Sequence, residues 1–263
     1  MKLTLGEVRG ILLDLDGVTW IGTALAPGAD RFWHYAQTSE LPVAFVSNAS
    51  AASRASIYAK LKQLGLANVS REQIFPATRA AALYVCGRRP HPRVFLVGEV
   101  GLADELRAAG AELVEEGADF VVVGVDRQAT YARLERAADQ LIAGAELVTT
   151  NSDGNYPTER GLKPAAGPFA RFLEMASGVQ ATIIGKPQAE LLHQALIFLK
   201  LDPWEALMVG DRAEADVVAA RAAGVPAVLI GDQRLEALPP ELQPDLFCRD
   251  LGELTTLLAA ARD

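Results

Sequence analysis

Short, unbroken apolar runs punctuate the chain: Ile11-Leu12-Leu13, Val43-Ala44-Phe45-Val46, Val94 to Val97, Phe120 to Val123, Leu147 to Thr149, Ile183-Ile184 and Ala206-Leu207-Met208-Val209. None alternates with polar residues, and each is too short for a helix and bounded by turn formers. That pattern predicts strands buried on both faces, as in a parallel sheet. Between them the period changes to a helical one, with Ile57, Leu61 and Leu64 aligned along Ala51 to Gly65 and a second apolar stripe along Ala189 to Lys200. Strand and helix patterns alternate from Ile11 to Val228 with short Gly/Pro breaks, the signature of βαβ units. Breaks near Phe75-Pro76-Ala77-Thr78 and Ser177-Gly178-Val179 divide this into a core of residues 1–76 and 179–263 and an insert of residues 77–178. Three of the strand runs fall inside the insert, which predicts a sheet of its own.

Polar chemistry is concentrated where the runs stop. The first ends in Asp14-Leu15-Asp16-Gly17, placing two carboxylates where an open α/β sheet carries its ligand. Asp-x-Asp-Gly also occurs in calcium loops and ordinary turns, so this segment alone does not settle the chemistry. The Ala206–Val209 run leads through Gly210 to Asp211-Arg212 and then Asp216. By themselves these read equally well as a strand-end turn and a helix first-turn acid. If the strand ends lie side by side, four aspartates converge, and such charges require a cation. A hard divalent ion with oxygen ligands, magnesium above all, suits that donor set. The Val43–Val46 run ends in Ser47-Asn48-Ala49-Ser50, a hydroxyl and an amide ahead of a helix whose N-terminus suits an anion; the plainer alternative is a cap by Ser50 or Ser53. Gly185-Lys186-Pro187 sets an ammonium on a constrained stem, a clamp for a carboxylate and a phosphoryl oxygen.

Taken in order, Asp14-x-Asp16, Ser47, Lys186 and Asp211 with Asp216 resemble the four motifs of the haloacid dehalogenase superfamily of phosphotransferases. Gly17-Val18-Thr19-Trp20-Ile21-Gly22, Pro27-Gly28-Ala29 and Thr150-Asn151-Ser152-Asp153-Gly154-Asn155-Tyr156-Pro157-Thr158 are similar to the NagD-type, 4-nitrophenylphosphatase-like branch. The resemblance implies a Rossmann-like α/β core with a mostly parallel sheet, and a large α/β cap domain inserted between Ser47 and Lys186. It implies hydrolysis of small phosphorylated metabolites through an aspartyl-phosphate, because the residue two past the nucleophile is Asp16.

On this reading Asp14 is the nucleophile and Asp16 the general acid and base, since an esterified carboxyl cannot also move protons. Ser47, Asn48 and Lys186 hold the phosphate; Asp14, Asp16 and Asp211 hold Mg2+; Asp216 orients a metal-bound water or Lys186 from behind. Asn151, Asp153 and Tyr156 of the cap contribute to substrate selection. Two departures stand out: Ala49 replaces a second amide after Ser47, and Ala215 replaces the threonine usual before the last aspartate, which implies weaker magnesium affinity. A phosphomutase or phosphotransferase would use the same aspartyl-phosphate, but such mutases usually carry a helical cap just after the first motif, and the stretch from Asp16 to Val43 is too short for one. A phosphate-accepting receiver-like binder is opposed by the length of the insert.

Composition narrows the partners. A net charge of −8 over 263 residues argues against a nucleic-acid ligand. The basic stretch Arg88-Arg89-Pro90-His91-Pro92-Arg93 is short and proline-broken, a solvated linker. The two cysteines, Cys86 and Cys248, have no metal-ligand spacing. With no continuous apolar segment at the start and no run approaching ~18 apolar residues, the expected setting is the cytoplasm, without membrane contact. The resemblance adds that cap surfaces in this branch can form a homodimer.

Overall fold

The computed structural model describes residues 4–158, 161–231 and 238–262. The chain forms two compact units, one of Met1–Ser47, Tyr58–Phe75 and Lys186–Asp263, the other of Asn48–Ile57 and Pro76–Gly185.

The first unit is built on a six-stranded sheet with the spatial order Leu246–Cys248, Ala227–Ile230, Ala206–Gly210, Gly10–Asp14, Val43–Ser47, Ile74–Pro76. Gly10–Asp14 pairs in parallel with both neighbours, Leu13 lying opposite Val209 on one side and Phe45 on the other. The apolar runs are strands for the reason their composition suggests: every residue of Gly10–Asp14, Val43–Ser47 and Ala206–Gly210 is buried. The chain leaves the first strand toward one edge and returns later to build toward the other, so the strand order reverses at Gly10–Asp14. Ligands of open α/β sheets bind outside the carboxyl ends at such a reversal.

The second unit holds a five-stranded, wholly parallel sheet in the order Thr182–Ile183, Glu146–Thr149, Phe120–Val123, Arg93–Val97, Glu112–Leu113. Phe95, Val97, Val121, Val123 and Leu147 pack with Leu141 and Leu173 of the helices Tyr131–Ile142 and Ala166–Ser177 into its core. A separate antiparallel hairpin, Asn155–Thr158 with Gly161–Pro164, follows the strand Glu146–Thr149. Isolated strand pairs of this size have little apolar signal, and every residue of Gly161–Pro164 is exposed.

Two differences from the expected organisation have physical reasons. The run before Lys186 forms Thr182–Ile183, whose partners are Val148 and Thr149, so it closes the second sheet instead of opening the return to the first; the chain re-enters the first unit at Lys186, not near Val179. Asn48–Ile57 folds with the second unit although it precedes the first expected boundary, because its contacts are made far along the chain. The predicted helices appear as Arg54–Gln63 and Glu190–Leu199. Among the described residues, no helix is long and apolar enough to cross a membrane.

Candidate active site

In the first unit, three strand ends and one returning segment set the geometry. Asp14 closes the central strand, Ser47 ends its neighbour, and Gly210 ends the strand on the other side, with Asp211 next; all but Asp211 are buried. Lys186 enters from the segment ahead of Glu190–Leu199 and is 3% exposed. Its Nζ lies 2.9 Å from Asp14 Oδ1 and 2.6 Å from Asp216 Oδ1, a buried ammonium between two buried carboxylates. Carboxylate oxygens of Asp14, Asp211 and Asp216 all lie within 4.8 Å of one another.

The turn after Gly210 shows how the local sequence makes this possible. Ala213–Val217 forms one wide helical turn leading into the helix Val218–Ala223, which brings Asp216 back beneath the strand end. There Asp216 Oδ2 accepts the backbone N–H groups of Asp211 at 3.1 Å and Arg212 at 3.0 Å. Both oxygens of Asp216 are thereby engaged, one on the loop and one on Lys186, so Asp216 fixes the loop that carries Asp211. Two glycines leave the space: a Cβ at Gly210 would overlap the Asp216 carboxyl, and one at Gly17, where φ is +86°, would overlap the Asp211 carboxyl.

Burial governs the charges. It pushes the Asp14 carboxyl up to about 7 against the pull of Lys186, with Asp216 and Asp211 adding to the rise. Burial likewise raises Asp211 to about 6, reinforced by Asp216 and opposed by Lys186 and Arg212. For Lys186, desolvation acts to discharge it, but Asp14 and Asp216 outweigh that and hold its pKa above the usual lysine value. The cluster carries more negative than positive charge in a dry place, which is what a hard divalent cation relieves. Asp14 and Asp211 have the oxygen chemistry to hold Mg2+, which binds through one or two carboxylates and keeps waters and substrate phosphate as further ligands.

Asp16 stands apart from this cluster. Its side chain is exposed and its Oδ1 accepts the indole N–H of Trp20 at 2.7 Å, so the carboxylate set brought together is Asp14, Asp211 and Asp216, not Asp14, Asp16 and Asp211. The reason is local: Gly17 turns the chain sharply, and Thr19 and Trp20 both return their N–H groups to Leu15 O, which turns the Asp16 side chain toward Trp20.

The remaining expected residues lie in the second unit. Asn48 spends its side-chain amide on Asp153 Oδ2 at 3.1 Å, and its carbonyl accepts from Asn151 Nδ2 at 2.8 Å. Asn151 is buried and also accepts the Asp153 N–H, which makes it a loop-building residue. Tyr156 Oη accepts from Arg127 Nε at 2.9 Å, and Arg127 forms a two-pronged ion pair with Glu99. Arg127 and Glu99 carried no motif in the sequence, the only hint being that each lies just beyond a predicted strand, and Trp20 entered only as part of a resembling segment with no role assigned to it. The anion-binding helix start expected after Ser47 is otherwise engaged: Glu105, buried, accepts both the backbone N–H and the Nε of Arg54, and Ser53 Oγ accepts from Ser56 N–H. The capping alternative holds there.

Comparison with known proteins shows the family of the chain. The family model described as haloacid dehalogenase-like hydrolase matches residues 11–112, and a HAD-hydrolase-like model matches residues 183–254. The chain is 34% identical over 222 residues to 5'-nucleotidase YutF of Bacillus subtilis (strain 168), covering 84% of this chain and 86% of that protein. The structure of a p-nitrophenyl phosphatase from Archaeoglobus fulgidus superposes with a TM-score of 0.89 at 29% identity, over 95% of this chain and 99% of that one. A glycerol phosphate phosphatase from Mycobacterium tuberculosis, solved in complex with calcium, gives 0.85 at 30% identity, over 97% and 78%. The match runs through both motif-bearing segments and nearly the whole length. The chain therefore belongs to the haloacid dehalogenase-like hydrolases, as a phosphoric monoester hydrolase of the NagD-like, 4-nitrophenylphosphatase-like branch.

Proposed function

We propose that the protein is a magnesium-dependent phosphatase that hydrolyses small phosphorylated metabolites of the cytoplasm through an aspartyl-phosphate on Asp14. One observation carries this reading: a buried lysine clamps the strand-end Asp14 while Asp211 lies close beside it, at the reversal point of the sheet.

Phosphoryl transfer needs a nucleophile, positive charge around the equatorial oxygens, and a proton for the leaving oxygen. Asp14 attacks phosphorus. Lys186 keeps Asp14 oriented and offers its charge to a phosphoryl oxygen, while Asp216 holds Lys186 in place. Ser47 donates its hydroxyl to the phosphate; the Asn48 side chain, engaged by Asp153, shapes the loop that follows. Asp16, exposed and free of the cluster, gives its proton to the departing oxygen and then takes one from the water that opens the acyl phosphate. When bound between Asp14 and Asp211, magnesium supplies neutralisation of phosphate charge.

The second unit is read as the cap. Its hairpin and the Asp153, Tyr156 and Arg127 side chains offer hydrogen bonds and an aromatic face to a leaving group, compatible with nucleoside monophosphates, sugar phosphates or glycerol phosphate. The test is a phosphate-release screen over such esters and 4-nitrophenyl phosphate, with and without magnesium. Release from several esters only with a divalent metal is expected. Transfer to a second metabolite without free phosphate would replace the reading with a phosphotransferase, and silence across the panel would leave a binder.

A further inference from the structure

Immediately after the nucleophile strand the chain folds into a small, tightly hydrogen-bonded flap. Gly17 N–H donates to Trp20 O, the Thr19 hydroxyl donates to Asp14 O at 2.6 Å, and Trp20–Ile21 pairs antiparallel with Ala24–Leu25. Trp20 is 3% exposed, yet its indole N–H reaches out to the exposed Asp16 carboxylate, 2.7 Å from Oδ1. On the open face of the same ring, Lys60 Nζ stands 4.0 Å from the centroid, so the indole plane is held from within by packing and from above by a cation. A buried ring therefore fixes the direction of an otherwise solvent-free-to-rotate carboxylate.

We propose that Trp20 is a positioning residue for Asp16, selecting which of its two oxygens carries the transferred proton; this rests on the reading of Asp16 as proton donor. An indole N–H can only donate. Oδ1 acts as acceptor, a role the carbonyl oxygen of a protonated carboxyl fills better than its hydroxyl oxygen, so the proton is placed on Oδ2. In the first half-reaction an Asp14 oxygen forms a bond to phosphorus as the bond from phosphorus to the leaving oxygen breaks, and that oxygen takes the Oδ2 proton, leaving Asp16 as carboxylate. The Trp20 bond persists throughout, because it engages the oxygen that never gives up a proton. Lys60 holds the ring in the plane that keeps this bond short.

A leaving group that needs a proton exposes this role, and one that does not conceals it. 4-Nitrophenolate departs as a stable anion, whereas the alkoxide of glycerol 3-phosphate or of a nucleoside 5'-monophosphate must be protonated. In the full-length magnesium-loaded enzyme, Trp20→Phe, and replacement of Trp20 by the isosteric benzothienylalanine, which keeps the ring and loses the N–H, are measured on both ester types. We expect kcat/KM on the alkyl ester to fall roughly tenfold more than on 4-nitrophenyl phosphate, within the range general acid catalysis supplies. Lys60→Met should move the same ratio in the same direction by a smaller factor. A ratio unchanged in the benzothienylalanine variant, or equal losses on both esters together with a lower thermal midpoint, would overturn the proposal and leave Trp20 a packing residue. Asp16→Asn serves as reference: if it leaves the alkyl-to-aryl ratio intact, the proton-donor reading itself fails, whereas an altered ratio there with none at Trp20 rejects only the present inference.

Discussion

The two parallel sheets of this chain share an architecture and differ in what stands at their carboxyl ends. In the first unit those ends carry Asp14, Ser47 and Asp211, with Lys186 and Asp216 closing around them. In the second they carry Gly98, Gly124 and Thr150, and the chain's own backbone seals them. Val125 N–H donates to Ser50 O at 3.3 Å, and side chains at Gly124 and Gly101 would collide with Ser50 O and Ala51 O. Among the described residues, the Asp14, Asp211 and Asp216 cluster is the single group of three carboxylate, thiol or imidazole side chains close enough to share a metal. A parallel sheet thus supplies a place for chemistry, and the residues at the strand ends decide whether it is used. The second unit's charges are spent on structure: Glu105 on Arg54, Glu99 on Arg127.

The sharpest way to break this contrast is at Asp14. Asp14→Asn should remove essentially all turnover of 4-nitrophenyl phosphate while leaving circular dichroism unchanged; substantial residual turnover would contradict the nucleophile assignment. Lys186→Met comes next, and it should cost both activity and stability. Removing one partner of a buried ion network leaves uncompensated carboxylates and costs about 3–5 kcal/mol, read from urea unfolding of the metal-free protein. In the second unit, Glu105→Ala should cost only about 1–3 kcal/mol, because Arg54 keeps partial solvent contact. Its kcat should stay within about twofold of the parent, since the carboxylate it removes supports packing alone.

A further effect lies in the pH dependence of stability. Asp14 and Asp211 sit at about 7 and about 6 in the fold, above the ordinary value of 3.8, so the folded metal-free protein binds more protons than the unfolded chain between those limits. Stability from these two groups is therefore fully present below about pH 4 and is lost as pH rises toward 7. Magnesium needs the same carboxylates ionised, so the rise in thermal midpoint on adding it should be larger at pH 8 than at pH 5. An equal rise at both values would show that the metal is held elsewhere.

Much of the fold was legible because strands buried on both faces leave unbroken apolar runs, and Leu12, Phe45, Val121 and Leu207 needed no partner to be recognised. The two-residue edge Glu112–Leu113 leaves no such trace; it exists only because the neighbouring strand Arg93–Val97 offers free hydrogen bonds. The same division holds at the site. Asp14, Lys186, Asp211 and Asp216 announce themselves by type and position at strand ends. That Lys186 bridges Asp14 to Asp216, that Asn48 turns to Asp153, and that Glu105 takes the start of Arg54–Gln63 are pairings across long stretches of chain, set by tertiary packing and invisible to local pattern. That a tight turn hands the Asp16 carboxylate to Trp20 is likewise not revealed by spacing alone.

The central place of Gly10–Asp14 in its sheet has a dynamic consequence. With hydrogen-bonded neighbours on both sides and Ile11, Leu12 and Leu13 sealed from solvent, its amides should exchange with deuterium only in the largest openings of the unit, whereas the exposed tip of the small ribbon, Ile21 to Ala24, should open in smaller ones. If Asp14 is the nucleophile and Asp16 the proton donor, as proposed, the covalent step is anchored in the segment expected to open last, and the proton transfer in the short loop that follows it.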